Sequence, residues 1–158
     1  MAGLAPGRLA GGCGAMRTDL PAPARLLGPA GLIPFVALAI GVWAGLPGAG
    51  TALAAYGATI LAFLGAVHWG LALAAPAAER GADWGRLGLG VVPSLIAWVA
   101  LLLPLPAGLG LLALAILGTA AAESWAAQAG LVPRAYLGLR WMLSAGAAAS
   151  LLLGLLGS

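Results

Sequence analysis

The sequence predicts an all-α fold: a polytopic membrane protein built as a compact bundle of five transmembrane helices, N-terminus cytoplasmic and C-terminus outside. Three observations predict it. The first is composition: 63% of the 158 residues are hydrophobic and 7% are charged, where a soluble domain carries about 25% charged residues. So few charges cannot cover this much apolar side chain with a water-facing surface. The second is a series of five apolar stretches near the ~17–25 residues that a spanning helix needs. The third is the placement of the arginines between them.

Residues 1–25 read as a disordered tail rich in Pro, Gly and Ala, without enough apolar side chains to form a core. "LAGGC", Leu9 to Cys13, has the small residues of a lipoprotein box but no apolar stretch before it, so lipidation is not expected. Met16 offers a second translation start. With one cysteine, neither a disulfide within the chain nor a cysteine-based metal site can form.

The transmembrane domain, 26–158, divides in order. The first helix is 26–46, closed by a "PGAG" turn, Pro47 to Gly50. The second is 51–75, followed by the polar loop "PAAERGADWGR". The third is 87–103, stopped by "PLP", Pro104 to Pro106. Two prolines so close interrupt a helix, so the fourth, 107–122, is a separate span. The fifth is 133–156. Arg8, Arg17 and Arg25 lie in the tail, Arg80 and Arg86 in the loop after the second helix, and Arg134 and Arg140 at the start of the fifth. Five crossings put all seven on one side, which arginine bias assigns to the cytoplasm. Trp84 and Trp125 fall at that interface and Trp43 at the opposite one, levels that suit an apolar ring with a polar N–H.

The second helix carries a small residue every fourth position: Ala54, Ala58, Ala62, Ala66, Gly70 and Ala74. Such spacing lets helices approach closely in lipid, and it is read as a packing seam or a face for a homo-oligomer.

A polar layer is expected at one depth. His68, the only histidine, stands in "GAVHWG", Gly65 to Gly70. Pro34 and Pro93 are read as structural kinks whose freed carbonyls, Ala30 and Leu89, need donors; an imidazole N–H could supply one. Ser94, Thr119 and Ser144 fall near the same level. Glu123, at the expected end of the fourth helix, wants a cation, and Arg140 or Arg134 is the natural one. Tyr136, Arg140 and Ser144 share one helix face at i, i+4, i+8. His68, Ser94, Glu123, Arg140 and Ser144 therefore form the candidate functional polar layer. The bland reading is structural: a donor and an interfacial ion pair. The sharper one treats intramembrane ionisable groups as functional, with His68 relaying protons.

Signatures of enzymes are missing from the sequence. One histidine and one cysteine exclude HExxH and Cys/His zinc sites, and "GRLGLG", Gly85 to Gly90, lacks the spacing of a nucleotide loop. No cofactor is expected. The excess of arginine does not form the basic patch that nucleic acid would require. The expected partners are the lipid bilayer and either a membrane-protein partner or a second copy. The absence of lysine, with heavy use of Ala, Gly and Leu, suits a GC-rich bacterial genome and the inner (cytoplasmic) membrane.

Four stretches, taken in order, carry a resemblance: "LGPAGLIPF", "AYGATILAFLGAVHWGLAL", "VVPSLIAW" and "AGLVPRAYLGLRWMLSAGA". Together they resemble the uncharacterised membrane family called domain of unknown function 3429 (transmembrane protein 69-like), over about Arg25 to Leu153. The Tyr-Gly…Phe-Leu-Gly…Trp-Gly string of the second helix is its most specific part. Ala62 and Ala66 stand where the family pattern has Ser and Gly. The resemblance implies a small multi-pass membrane protein and supplies no catalytic residues. Three functions follow as expectations: a non-enzymatic accessory or packing protein, a small oligomeric carrier or proton-coupled pore, and, least favoured, an intramembrane enzyme acting on lipid or quinone.

Overall fold

The computed structural model describes residues 22–74, 83–128 and 134–158. All regular structure among them is helical: α1 (Ala22–Ala30), α2 (Ile33–Trp43), α3 (Ala49–Ala74), α4 (Asp83–Leu102), α5 (Leu105–Gln128) and α6 (Arg134–Leu156). α1 and α2 together form the first apolar span, so the six pieces make a bundle of five helices. Four spans are long and apolar enough to cross a bilayer: Leu26–Trp43, Ala49–Gly70, Leu105–Trp125 and Leu137–Leu156. The apolar part of α4, Gly90–Leu102, is shorter, but its 20 residues extend ~30 Å at 1.5 Å per residue, close to the hydrocarbon thickness. The tail before residue 22, the loop after α3 and the sidechains of Trp84, Arg134 and Tyr136 lie outside the described residues.

The first helix differs from expectation. The span is interrupted between Ala30 and Ile33, and Pro34 stands in the first turn of α2, where it has no N–H to offer the Ala30 carbonyl. The chain breaks just before it, at Gly31 and Leu32. The Gly31 carbonyl receives the Tyr56 hydroxyl of α3 at 3.0 Å, and the Tyr56 ring meets Phe35 edge to face, centroids 4.8 Å apart. A break inside lipid leaves carbonyls without helical partners; Tyr56 satisfies one. α1 begins at Ala22, four residues inside the expected tail. Pro93, by contrast, lies inside α4.

The turn from α2 to α3 is closed by Gly45 and Gly48, whose φ values of 68° and 78° belong to the left-handed region, open to glycine without a steric penalty. Leu103 and Pro104 join α4 to α5. Pro106 occupies the first turn of α5, again where no donor is needed.

The core consists of aliphatic side chains and alanines from α2 to α6, among them Leu53, Leu61, Leu109, Leu112, Ile116 and Leu151. Large exposed residues such as Ile40, Phe63, Trp98, Leu114 and Leu156 form the lipid-facing surface. With lipid as apolar as leucine, close fit rather than water exclusion holds such helices together. The expected small-residue seam of α3 is rotated. Ala54 and Ala58 are buried, but Ala66 and Gly70 are exposed. The buried face runs Ala54, Gly57, Ala58, Leu61, Gly65 and His68. At Gly65 the α4 backbone is so near that an added Cβ would collide with the Gly90 carbonyl oxygen. At Gly90 it would collide with the Trp69 ring. The glycines of "GAVHWG" are thus used unequally: at Gly65 the backbones of α3 and α4 approach closely, while Gly70 has open space beside it.

Candidate functional site

Helix geometry brings the charged residues to one level. His68 lies six residues before the end of α3, Glu123 five before the end of α5, and Arg140 six after the start of α6. Each is ~8–9 Å from its helix end at 1.5 Å per residue. α5 and α6 run antiparallel, so Glu123 and Arg140 face each other across the hairpin.

All three are buried: His68 is 5%, Glu123 3% and Arg140 2% exposed. Arg140 Nε donates to Glu123 Oε2 at 2.6 Å. Its Nη1 donates to Ser144 Oγ, one turn along α6, at 3.0 Å. Its Nη2 reaches Thr119 Oγ1 on α5 at 3.4 Å. Each guanidinium nitrogen thus has an acceptor, which a charge this deep requires. Thr119 Oγ1 itself donates to the Ala115 and Ile116 carbonyls, both at 2.9 Å.

His68 approaches the pair from α3. Its Nδ1 stands 3.2 Å from the Leu64 carbonyl oxygen one turn back. Nε2 lies 3.8 Å from Glu123 Oε1, beyond hydrogen-bond length, and this buried nitrogen has no hydrogen-bond partner. If Nδ1 carries the proton and donates to Leu64, Nε2 presents a lone pair toward a carboxylate oxygen. His68 therefore faces the ion pair; the expected donation to the carbonyls freed by Pro34 and Pro93 is not how its ring is placed.

Two other expectations are corrected in detail. Glu123 does not end its helix: α5 continues to Gln128, so Glu123 sits inside the helix, held by Arg140 rather than exposed at a terminus. Ser94, half-buried on α4, is joined to Glu123 or Arg140 by no described hydrogen bond. The structure thus gathers His68, Glu123, Arg140 and Ser144 with Thr119 and leaves Ser94 outside the group. Sequence reasoning passed over Ser124 and Trp141. Trp141 Nε1 donates to Ser124 Oγ at 2.8 Å, and that hydroxyl donates to the Ala120 carbonyl at 2.8 Å. The signal was present: Ser124 follows Glu123 and Trp141 follows Arg140, so a second tie parallels the first. Trp43, expected as an interfacial anchor, also donates, from Nε1 to the Leu153 carbonyl at 2.9 Å.

Beside the ion pair lies a cavity of about 400 Å³ between α1, α2, α3, α5 and α6. Leu27, Phe35, Phe63 and Leu143 are among its apolar walls, and Arg140 and Ser144 edge it. Among the described residues, no cluster of three or more His, Cys, Asp or Glu could hold a metal ion.

A family model described as "Protein of unknown function (DUF3429)" matches residues 20–156. The protein named Transmembrane protein 69 from Xenopus tropicalis is 45% identical over 89 residues, which is 53% of this chain and 34% of that relative. The matched region thus spans about a third of the relative's length. No solved structure matches the chain.

Proposed function

This chain belongs to the DUF3429 family of proteins of unknown function, and from that membership and its apolar helices we propose that it is a non-enzymatic accessory protein of the membrane, acting by contact with a membrane protein or lipid. One observation carries this reading: every nitrogen of the buried Arg140 guanidinium is engaged, by Glu123, Ser144 and Thr119. A fully engaged cation ties α5 to α6. Intramembrane charges that pair with one another and with neighbouring hydroxyls are satisfied without any cargo. The lipid-facing surface, including Trp98, Leu114 and Trp125, offers contact area for another helix or a second copy.

A second reading rests on the unpartnered Nε2 of His68 beside Glu123: a small oligomeric carrier or proton-coupled pore centred on that pair. Purified protein in liposomes loaded with a pH-sensitive dye separates the two. The accessory reading expects proton permeability equal to that of protein-free liposomes. A flux that disappears in His68→Gln would overturn it in favour of the carrier.

The proposed location is the bacterial inner membrane, in keeping with the arginine-only basic composition. Five crossings with all arginines on one side support a cytoplasmic N-terminus and an outside C-terminus. Alkaline phosphatase fused after Ser158 should be active, and a green fluorescent protein fused there should be dark. A fluorescent, phosphatase-negative pair would refute this threading.

A further inference from the structure

We propose that the cavity beside Arg140 is a binding site for a neutral lipid, one whose apolar body fills the pocket and whose carbonyl oxygen accepts a hydrogen bond at Ser144. This goes beyond the accessory reading and does not depend on it.

The pocket holds about 400 Å³, within the ~300–1,000 Å³ range of small-molecule sites. Its α6 wall runs from Leu139 to Ala147, a length of ~12 Å at 1.5 Å per residue. In a bilayer such a space is occupied by hydrocarbon, since an apolar cavity is not a home for water. Apolarity alone would admit any acyl chain. The edge of the pocket narrows the choice.

That edge contains two buried polar groups, Arg140 and Ser144, 2% and 1% exposed. Arg140 is already balanced by Glu123, so the pair carries no net charge. An anionic headgroup would bring an uncompensated charge into an apolar pocket, at a cost that burial does not repay. A cationic headgroup would face the guanidinium. A neutral headgroup meets neither penalty. Ser144 Oγ accepts from Arg140 Nη1, so its own hydrogen is available to a further acceptor. Because the hydroxyl oxygen is already polarised by a guanidinium, it becomes a better donor. The acceptor that fits is an uncharged carbonyl on an apolar frame. Glycerolipid esters and isoprenoid quinones share that chemistry.

Photoaffinity labelling in native-like nanodiscs tests the assignment, with three diazirine probes: a diacylglycerol, an isoprenoid quinone and a plain hydrocarbon. At least one carbonyl probe should label α2 and α6 peptides facing the pocket, and which one does so identifies the source. Gly28 lines the cavity, and a Cβ there would reach Leu143 and Leu139 at ordinary contact distance, 3.4–3.6 Å. Gly28→Leu therefore fills the space while favouring the α1 helix, and should cut pocket labelling at least fivefold with unchanged thermal stability. Ser144→Ala should weaken labelling by the carbonyl probe about threefold and leave the hydrocarbon probe unaffected, a comparison that stability loss alone would not produce. Equal labelling of wild type and Gly28→Leu, or a carbonyl probe indifferent to Ser144→Ala, overturns the proposal.

Discussion

Arg140→Leu is expected to remove about 3–5 kcal/mol of folding stability, the range for breaking one side of a buried ion pair. The reason is what remains. Glu123 is 3% exposed, and the guanidinium that meets its Oε2 would be gone. Ser144 and Thr119 would lose a donor at the same time. The double variant Glu123→Leu/Arg140→Leu should recover most of the loss, because two well-packed apolar residues can replace a buried pair at little cost. Equilibrium unfolding in mixed micelles measures both. A single variant as stable as wild type would mean that the pair does not hold α5 to α6. A double variant no better than the single would mean that the loss came from packing, which the long apolar stem of arginine also provides.

The second large effect is expected at Gly65. A leucine there must displace the Gly90 carbonyl, which is backbone and cannot swing aside. α3 and α4 would have to separate at this close contact, with a loss at or above the ~1–3 kcal/mol usual for overpacking. Gly90→Ala meets the Trp69 ring and, at 3.0 Å, the Gly65 carbonyl oxygen. Trp69 is 44% exposed and its ring can rotate toward lipid, and the added methyl is smaller than the leucine, so the loss should be smaller. Gly70→Leu meets nothing within 4 Å and should be neutral. Thermal unfolding in detergent of the three variants should rank them in that order. Equal melting of Gly65→Leu and Gly70→Leu would contradict the α3–α4 approach described above.

The helices were legible because apolar length and proline punctuation act locally. "PLP" separates α4 from α5 for the reason that prolines interrupt any helix. A cation for Glu123 from the start of the last helix, Arg140 or Arg134, could be anticipated because charges are scarce in this chain and a membrane carboxylate needs a cation; which of the two serves depends on helix rotation. Ser144 followed from its position one turn beyond Arg140. The direction of the His68 ring could not be anticipated. It depends on the rotation of α3, and alanines and glycines surround that helix on every face, so no stripe marks the buried side. The same degeneracy turned the expected seam away from Ala66 and Gly70. Tyr56, whose hydroxyl satisfies the break, lies 25 positions from its acceptor, and no local pattern connects them.

The antiparallel arrangement of α5 and α6 also bears on how the chain enters the bilayer. A lone Arg or Asp at the centre of a spanning helix costs ~2.5–3.5 kcal/mol on insertion scales, and less nearer the interface. Carried separately, α5 would bring a carboxylate into lipid and α6 a guanidinium. Joined by only residues 129–133, the two helices bring their charges to the same level, 2.6 Å apart. The opposing signs cancel within one hairpin, so α5 and α6 gain most by partitioning together, as a single unit of biogenesis whose electrostatic cost is settled before the rest of the bundle closes around it.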